Sequence, residues 1–231
     1  MATWDELRQD LARLLEERPG ILMTSPTLSG DVGDVGEPPY RIDLAPWAQD
    51  AAAGLWGRFG DQVELRVGAL PYPPGRRPDG DAPPPSGAPE RPALLDPAQA
   101  EAELDGPAVV RSGHTLHHGL LVRDRSGAGL AIATNGGLTA SVVDPASGEV
   151  VGGFVGWQTL PGVVFRVPPG GTERIPLLIG TASTSERIGY VVPPGDWGVQ
   201  ATLSFLASAD APLGREQVRG RTPVLPLTIT A

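Results

Sequence analysis

There is no cysteine among the 231 residues of this chain. That excludes disulfides, thiolate metal centres and cysteine nucleophiles, and it fits a reducing compartment. Lysine is missing too, so all 18 basic residues are arginine. A P-loop, whose lysine must reach the phosphates, is therefore excluded. The arginines are scattered, and alongside 31 glycines and 26 prolines they read as a GC-rich coding bias rather than selection for anion binding. Aromatic residues make up only 5%. No apolar run approaches the roughly 18 residues a membrane-spanning helix needs. The stretch from Met1 to Pro19 is charged and amphipathic, without the apolar segment of a signal peptide. Positive charge is also in short supply: the net charge is -9 and the pI about 4.8, with no basic run of the kind nucleic acid selects. Together these absences predict a cytoplasmic protein with neither a membrane nor a nucleic-acid partner.

What is present suffices for a folded core. Apolar residues make up 40% and charged ones 19%, in a length that suits one large domain or two small ones. Thr3 and Glu6 have capping-box spacing, and Trp4, Leu7, Leu11, Leu14 and Leu15 follow on one helical face until Pro19-Gly20. Ile21 to Met23 predicts a short strand, and Ser29 to Pro39 a loop. Tyr40, Ile42 and Leu44 alternate with Arg41 and Asp43 as in a half-buried strand. Pro46 opens a second helix carrying Trp47, Ala51, Leu55 and Phe59, and Gly60 ends it. Val63, Leu65 and Val67 alternate again. Residues 1–70 thus predict a small α/β unit of two helices and two or three strands.

Residues 71–106 predict a proline-rich linker. Ten of the 27 residues from Pro71 to Pro97 are proline, which neither helix nor ladder tolerates. A spacer is the simple reading, and docking of Pro83-Pro84-Pro85 in an aromatic groove the alternative. Asp96 and Pro97 then predict the start of a short helix reaching about Leu104.

From Pro107 to Ala231 the period changes to two. Short apolar runs at 116–122, 130–133, 138–143, 150–155, 163–167, 174–179, 189–192, 197–205 and 224–230 are separated by turn residues. Such regular short strands predict an antiparallel β-sandwich. The whole is α+β, a small α/β unit followed by a sandwich over residues 107–231.

Particular runs carry a resemblance. Leu120-Leu121-Val122-Arg123-Asp124-Arg125-Ser126, then Leu130-Ala131-Ile132, then Val142-Val143-Asp144 with Gly148-Glu149-Val150-Val151, resemble bacterial immunoglobulin-like domains of the intracellular proteinase inhibitor type. Pro193-Pro194-Gly195-Asp196-Trp197-Gly198-Val199 and the closing Leu-Thr-Ile-Thr are similar to the last strands of such modules. The resemblance spans 107–231 and implies an immunoglobulin-like fold. It implies no functional residue, and the segment from Gly180 to Arg187 departs from a minimal sandwich.

Chemistry is thinly marked. His114, His117 and His118 are the only histidines, and imidazole is a common transition-metal ligand. On a straight strand, however, His117 and His118 face opposite sides, and His114 lies ~13 Å from His118. A metal site would need a bulge near Gly113 and a distant carboxylate such as Asp144 or Glu149. There is no G-x-S-x-G elbow, and Ser183 and Ser185 have no evident base. Asp31 and Asp34 lack EF-hand spacing. Trp157 reads either as a plug at one end of the sandwich or as an exposed interface anchor. The pattern favours a non-enzymatic intracellular module. It would bind a protein partner, or a second copy of itself, through Trp157, Thr181, Ser183 and Arg187. The rivals are a metal-binding protein or metal-dependent enzyme built on the three histidines, and a proteinase-inhibitor-like binder. No cofactor other than such a transition metal is expected.

Overall fold

The computed structural model describes residues 3–22, 40–75, 92–156, 161–207 and 217–231. The loop containing Asp31 and Asp34, Met23, the Pro83–Pro85 run and Trp157 lie outside the described residues, as does the side chain of Trp4. Among the described residues the protein is mostly β, arranged in large sheets. No helix there is long and apolar enough to cross a membrane.

The first element is α1 (Trp4–Glu17). Its start follows the sequence: Thr3 accepts from the Glu6 amide at 3.3 Å, and the Glu6 carboxylate accepts from the Thr3 amide at 2.6 Å. β1 (Tyr40–Leu44), α2 (Gln49–Phe59) and β2 (Val63–Val67) form a parallel strand–helix–strand unit, and β3 (Leu70–Tyr72) adds an antiparallel edge. Helix α2 begins three residues later than Pro46 suggests, with Ala48 at its cap, and stops at Gly60, which adopts φ +52°. Leu7 and Leu11 of α1 and Leu55 and Phe59 of α2 bury against Ile42, Leu44, Val63 and Leu65. Two ion pairs tie the helices together, Arg58–Asp10 and Arg18–Asp50 at 2.6 Å. Leu22 makes a single bridge to Leu44.

The rest of the chain is a two-layered β body. Its strands are β4 (Ala93–Leu94), β5 (Ala100–Leu104), β6 (Val109–Arg111), β7 (Thr115–Asp124), β8 (Leu130–Thr134), β9 (Leu138–Val143), β10 (Val150–Gly153), β11 (Val163–Val167), β12 (Thr172–Gly180), β13 (Ala182–Ser183), β14 (Gly195–Leu206), β15 (Gln217–Arg221) and β16 (Leu225–Thr230). The long strand β14 belongs to both layers. Its first half pairs with β9 and β16, in a layer ordered β5-β7-β12-β9-β14-β16-β6. Its second half pairs with β8 and β15, in a layer ordered β11-β8-β14-β15-β4. One apolar cluster lies between them, drawing Ile132 and Leu203 from the smaller layer and Leu120, Val142, Ile175 and Leu177 from the larger.

Several sequence expectations are corrected. Asp96 does not open a helix: its carboxylate accepts from the Ala98 amide at 2.9 Å in a turn, and the chain then enters β5. Ala100-Glu-Ala-Glu-Leu104 has good helix formers, but they also alternate, and pairing with β7 decides in favour of the strand. Residues 93–104 therefore belong to the β body rather than to the linker. Most ladders are antiparallel, but β9/β12, β6/β16 and β4/β15 are parallel. The run 189–192 makes only an isolated bridge from Val191 to Ala182.

Candidate functional site

The two ends of β7, roughly 30 Å apart at about 3.3 Å per residue, have different surroundings. At the His114 end the N-terminal unit is docked on the β body. Trp47, in the turn before α2, stacks on His114 with ring centroids 6.0 Å apart and planes 13° from parallel. Close approach depends on Gly113, which has φ +81° and where a Cβ would lie 2.8 Å from the Trp47 Cβ. Tyr72 stacks on Tyr190 at 5.9 Å, and the Tyr190 hydroxyl donates to the Pro71 carbonyl at 3.2 Å. Tyr190 is 5% exposed and belongs to the core of the N-terminal unit although its backbone lies in the β body. Burial, then the neighbouring Tyr72 and Glu186, push its hydroxyl up to about 12. The Gly75 amide donates to Glu186 at 3.3 Å.

This end absorbs most of what the sequence singled out. Thr181 is 1% exposed, and its hydroxyl donates to the carbonyls of His114 (3.0 Å) and Arg111 (3.3 Å). Ser183 is fully buried, and its hydroxyl donates to the Ser185 carbonyl at 2.9 Å and accepts from the Ser185 amide. Both are corrected from partner-binding to internal residues, because Thr181 satisfies backbone carbonyls on the segment leading into β7 and Ser183 satisfies backbone groups within its own loop. Arg187 is exposed and sits 3.5 Å from Glu149.

The histidines go to three places. His114 stacks on Trp47. His117 points outward from β7 opposite Leu178. His118 points inward, half-buried, with Nε2 3.3 Å from the Gly106 carbonyl. No group of three histidines or carboxylates among the described residues could hold a metal ion. Alternation along β7 separates His117 from His118, and the stacked ring of His114 faces the N-terminal unit.

At the far end of β7, Asp124 is 1% exposed. One carboxylate oxygen accepts from the amide and hydroxyl of Ser126 (2.9 and 2.7 Å), the other from the amides of Gly129 (3.0 Å) and Gly170 (2.9 Å). It clamps the β7–β8 turn to the β11–β12 turn. The Gly170 amide first, then the Ser126 hydroxyl, hold its carboxyl well below the usual carboxylate range. With all its lone pairs engaged, Asp124 serves structure rather than proton transfer. The signal was present in Asp124-Arg-Ser-Gly, the pattern of an aspartate folding back on its own turn.

Beside this clamp the two layers part. A cleft of about 570 Å³ opens between them, lined by Leu95, Leu130, Phe205 and Val218 with Asp96 and Gln99 at the rim. A second, of about 500 Å³, shares Leu95 and Ala100 with it. The decisive residue is Val218. It lies opposite Phe205, which lies opposite the buried Ile132, so Val218 belongs to the core face of its layer. Yet it is 71% exposed, and Leu94 on the adjoining strand is 57% exposed.

No protein-family model matches the chain, and no curated protein matches it. Among solved structures it is similar to one titled as the CooA pilin subunit from enterotoxigenic Escherichia coli, at 7% identity. That likeness covers 58% of this chain and 99% of that one, with a TM-score of 0.24, too slight to carry an argument.

Proposed function

We propose that this protein is a non-enzymatic, cytoplasmic interaction module, an immunoglobulin-like sandwich with an α/β unit docked at one end and a partner protein bound at the other. The observation that carries the reading is Val218, a core-face valine left 71% exposed beside an apolar cleft. An apolar surface of this kind costs free energy in water and is covered most economically by apolar side chains of another chain. The reading is supported as well by the use of Thr181, Ser183 and His114 inside the fold, and by the lack of a group of three histidines or carboxylates able to hold a metal ion among the described residues. The cytoplasmic assignment rests on the absence of cysteine.

The test compares the wild-type chain with Val218→Arg. Because Val218 is already exposed, the substitution is expected to change stability by less than about 0.5 kcal/mol. A partner recovered near stoichiometry by the wild-type chain should be lost with the variant. Equal recovery by both proteins would sink this surface. Concentration-dependent self-association that Val218→Arg abolishes would identify the partner as a second copy.

A further inference from the structure

Among the described residues, the strands of the smaller layer carry charge of one sign only. Its strands are β11, β8, residues 202–206 of β14, β15 and β4, and none of them contains a carboxylate. They contain Arg166, Arg219 and Arg221. The registers place all three on the outer side: Arg166 lies opposite Ala131, and Arg219 lies opposite Ser204, itself opposite Ala133. Ala131 and Ala133 pack with Leu206 and Val164 in a small cluster outside the main core, which marks them as the outward residues of β8.

This clustering is unusual for the molecule. The net charge is -9. Elsewhere Arg13, Arg18, Arg58, Arg125, Arg174 and Arg187 each sit beside a carboxylate, while the exposed Arg111 and Arg123 stand singly on other strands without an ion pair among the described residues. Arg166 and Arg219 are exposed, and neither has an ion pair among the described residues. Arg221 donates only to the Gln200 side chain, at 3.4 Å, and its Nε is buried without a partner. Scattered in the sequence, these arginines are gathered by strand pairing.

The geometry points to this face as a docking surface for a carboxylate-rich segment of another protein. Two features set the chemistry. Arg219 and Arg221 are alternate residues of one strand, about 7 Å apart, which is also the spacing of alternate side chains on an extended acidic segment. Arg166 stands three strands away, about 14 Å across the layer, with the buried Ala131 and Ala133 between it and Arg219. The exposed guanidinium forks of Arg166 and Arg219 suit bidentate pairing with carboxylates. The negative charge of the rest of the chain disfavours a long phosphate polymer, whereas a short acidic segment meets only the positive face. Ala131 and Leu206 border both this surface and the cleft beside Val218, but none of the three arginines lines that cleft.

The experiment uses the full chain with a fluorescein-labelled oligoglutamate peptide at low ionic strength, read by anisotropy. Binding should weaken as salt rises, and Arg166→Glu/Arg219→Glu should weaken it about tenfold or more. Arg13→Glu/Arg123→Glu changes the net charge equally through exposed arginines away from this face, and should bind as the wild type does. Val218→Arg should also leave peptide binding intact, which keeps this surface distinguishable from the cleft. Thermal midpoints of all variants verify folding, and Arg166→Gln/Arg219→Gln replaces the charge reversal if that variant fails to fold. Three outcomes would each overturn the proposal: no peptide binding at low salt, equal loss in both charge-matched variants, or tighter binding of an oligothymidylate of matching charge.

Discussion

The two ends of the β body were built under the same constraint, a sheet layer whose apolar face must be covered, and they met it differently. At the His114 end the chain supplies its own cover. Two aromatic pairs and a hydroxyl–carbonyl bond hold the N-terminal unit against His114 and the loop at 181–191. At the Asp124 end the turns are clamped by a buried carboxylate, but the layers diverge and Val218 is left in water. The closed end contains nearly all the residues that looked functional, and the open end contains residues that looked ordinary. Unusual side chains such as histidine, tyrosine and tryptophan do not by themselves mark a surface for an outside partner. They mark a difficult interface, and here that interface lies within one chain.

The largest expected effect concerns the clamp. Asp124→Ala leaves the amides of Ser126, Gly129 and Gly170 without their acceptor, and should lower the urea midpoint more than any other single change named here. The pH dependence has a definite sign. The folded carboxyl titrates below its ordinary value of 3.8, so its contribution is fully present above that value and is lost as pH falls further toward the folded value. Wild-type stability measured between pH 5 and pH 2 should therefore fall more steeply than that of Asp124→Ala. Parallel curves would show that the clamp does not carry the acid sensitivity.

Tyr190 tests the closed end. Tyr190→Ala removes a ring buried in the N-terminal core and should cost about 3 kcal/mol, splitting one unfolding transition into two as the units uncouple. Tyr190→Phe keeps the ring and loses only the bond to Pro71, at about 1 kcal/mol. It should also remove the late tyrosinate absorbance step expected of the wild-type protein, whose Tyr190 hydroxyl is pushed up to about 12. If Tyr190→Ala keeps a single transition at an unchanged midpoint, the seam does not couple the units.

The smallest effects belong to the histidines. His114→Ala should cost about 1 kcal/mol through the Trp47 stack and alter tryptophan fluorescence. His117→Ala, on an exposed face, should change stability by less than about 0.5 kcal/mol. Elemental analysis of untagged protein should give less than about a tenth of an equivalent of transition metal. Stoichiometric zinc that His117→Ala removes would restore the metal reading.

Local rules in the sequence were enough for the elements that depend on neighbours in the chain. The capping box at Thr3 and Glu6, the stop at Gly60, and the alternation in 116–122, 138–143 and 197–205 are visible because turn chemistry and side-chain period are short-range properties. Strand β5 was missed because Ala, Glu and Leu favour a helix until β7 offers a ladder. Strand β15, Gln-Val-Arg-Gly-Arg, has too little apolar alternation to be seen before its pairing with β14 is known. Both surfaces proposed here depend on it.

By itself the sequence determined the class of the protein: no disulfide, no thiolate metal centre, no P-loop, an acidic chain, a helical start and a β-rich remainder. Composition and period decide these because they need no knowledge of distant contacts. The tertiary structure decided which residues are available to anything outside. It turned Thr181, Ser183 and Tyr190 inward, sent three neighbouring histidines to three surroundings, left a core-face valine in water and gathered three scattered arginines on one face. Those outcomes follow from strand register and the docking of one unit on another, in which residues far apart in the chain become neighbours.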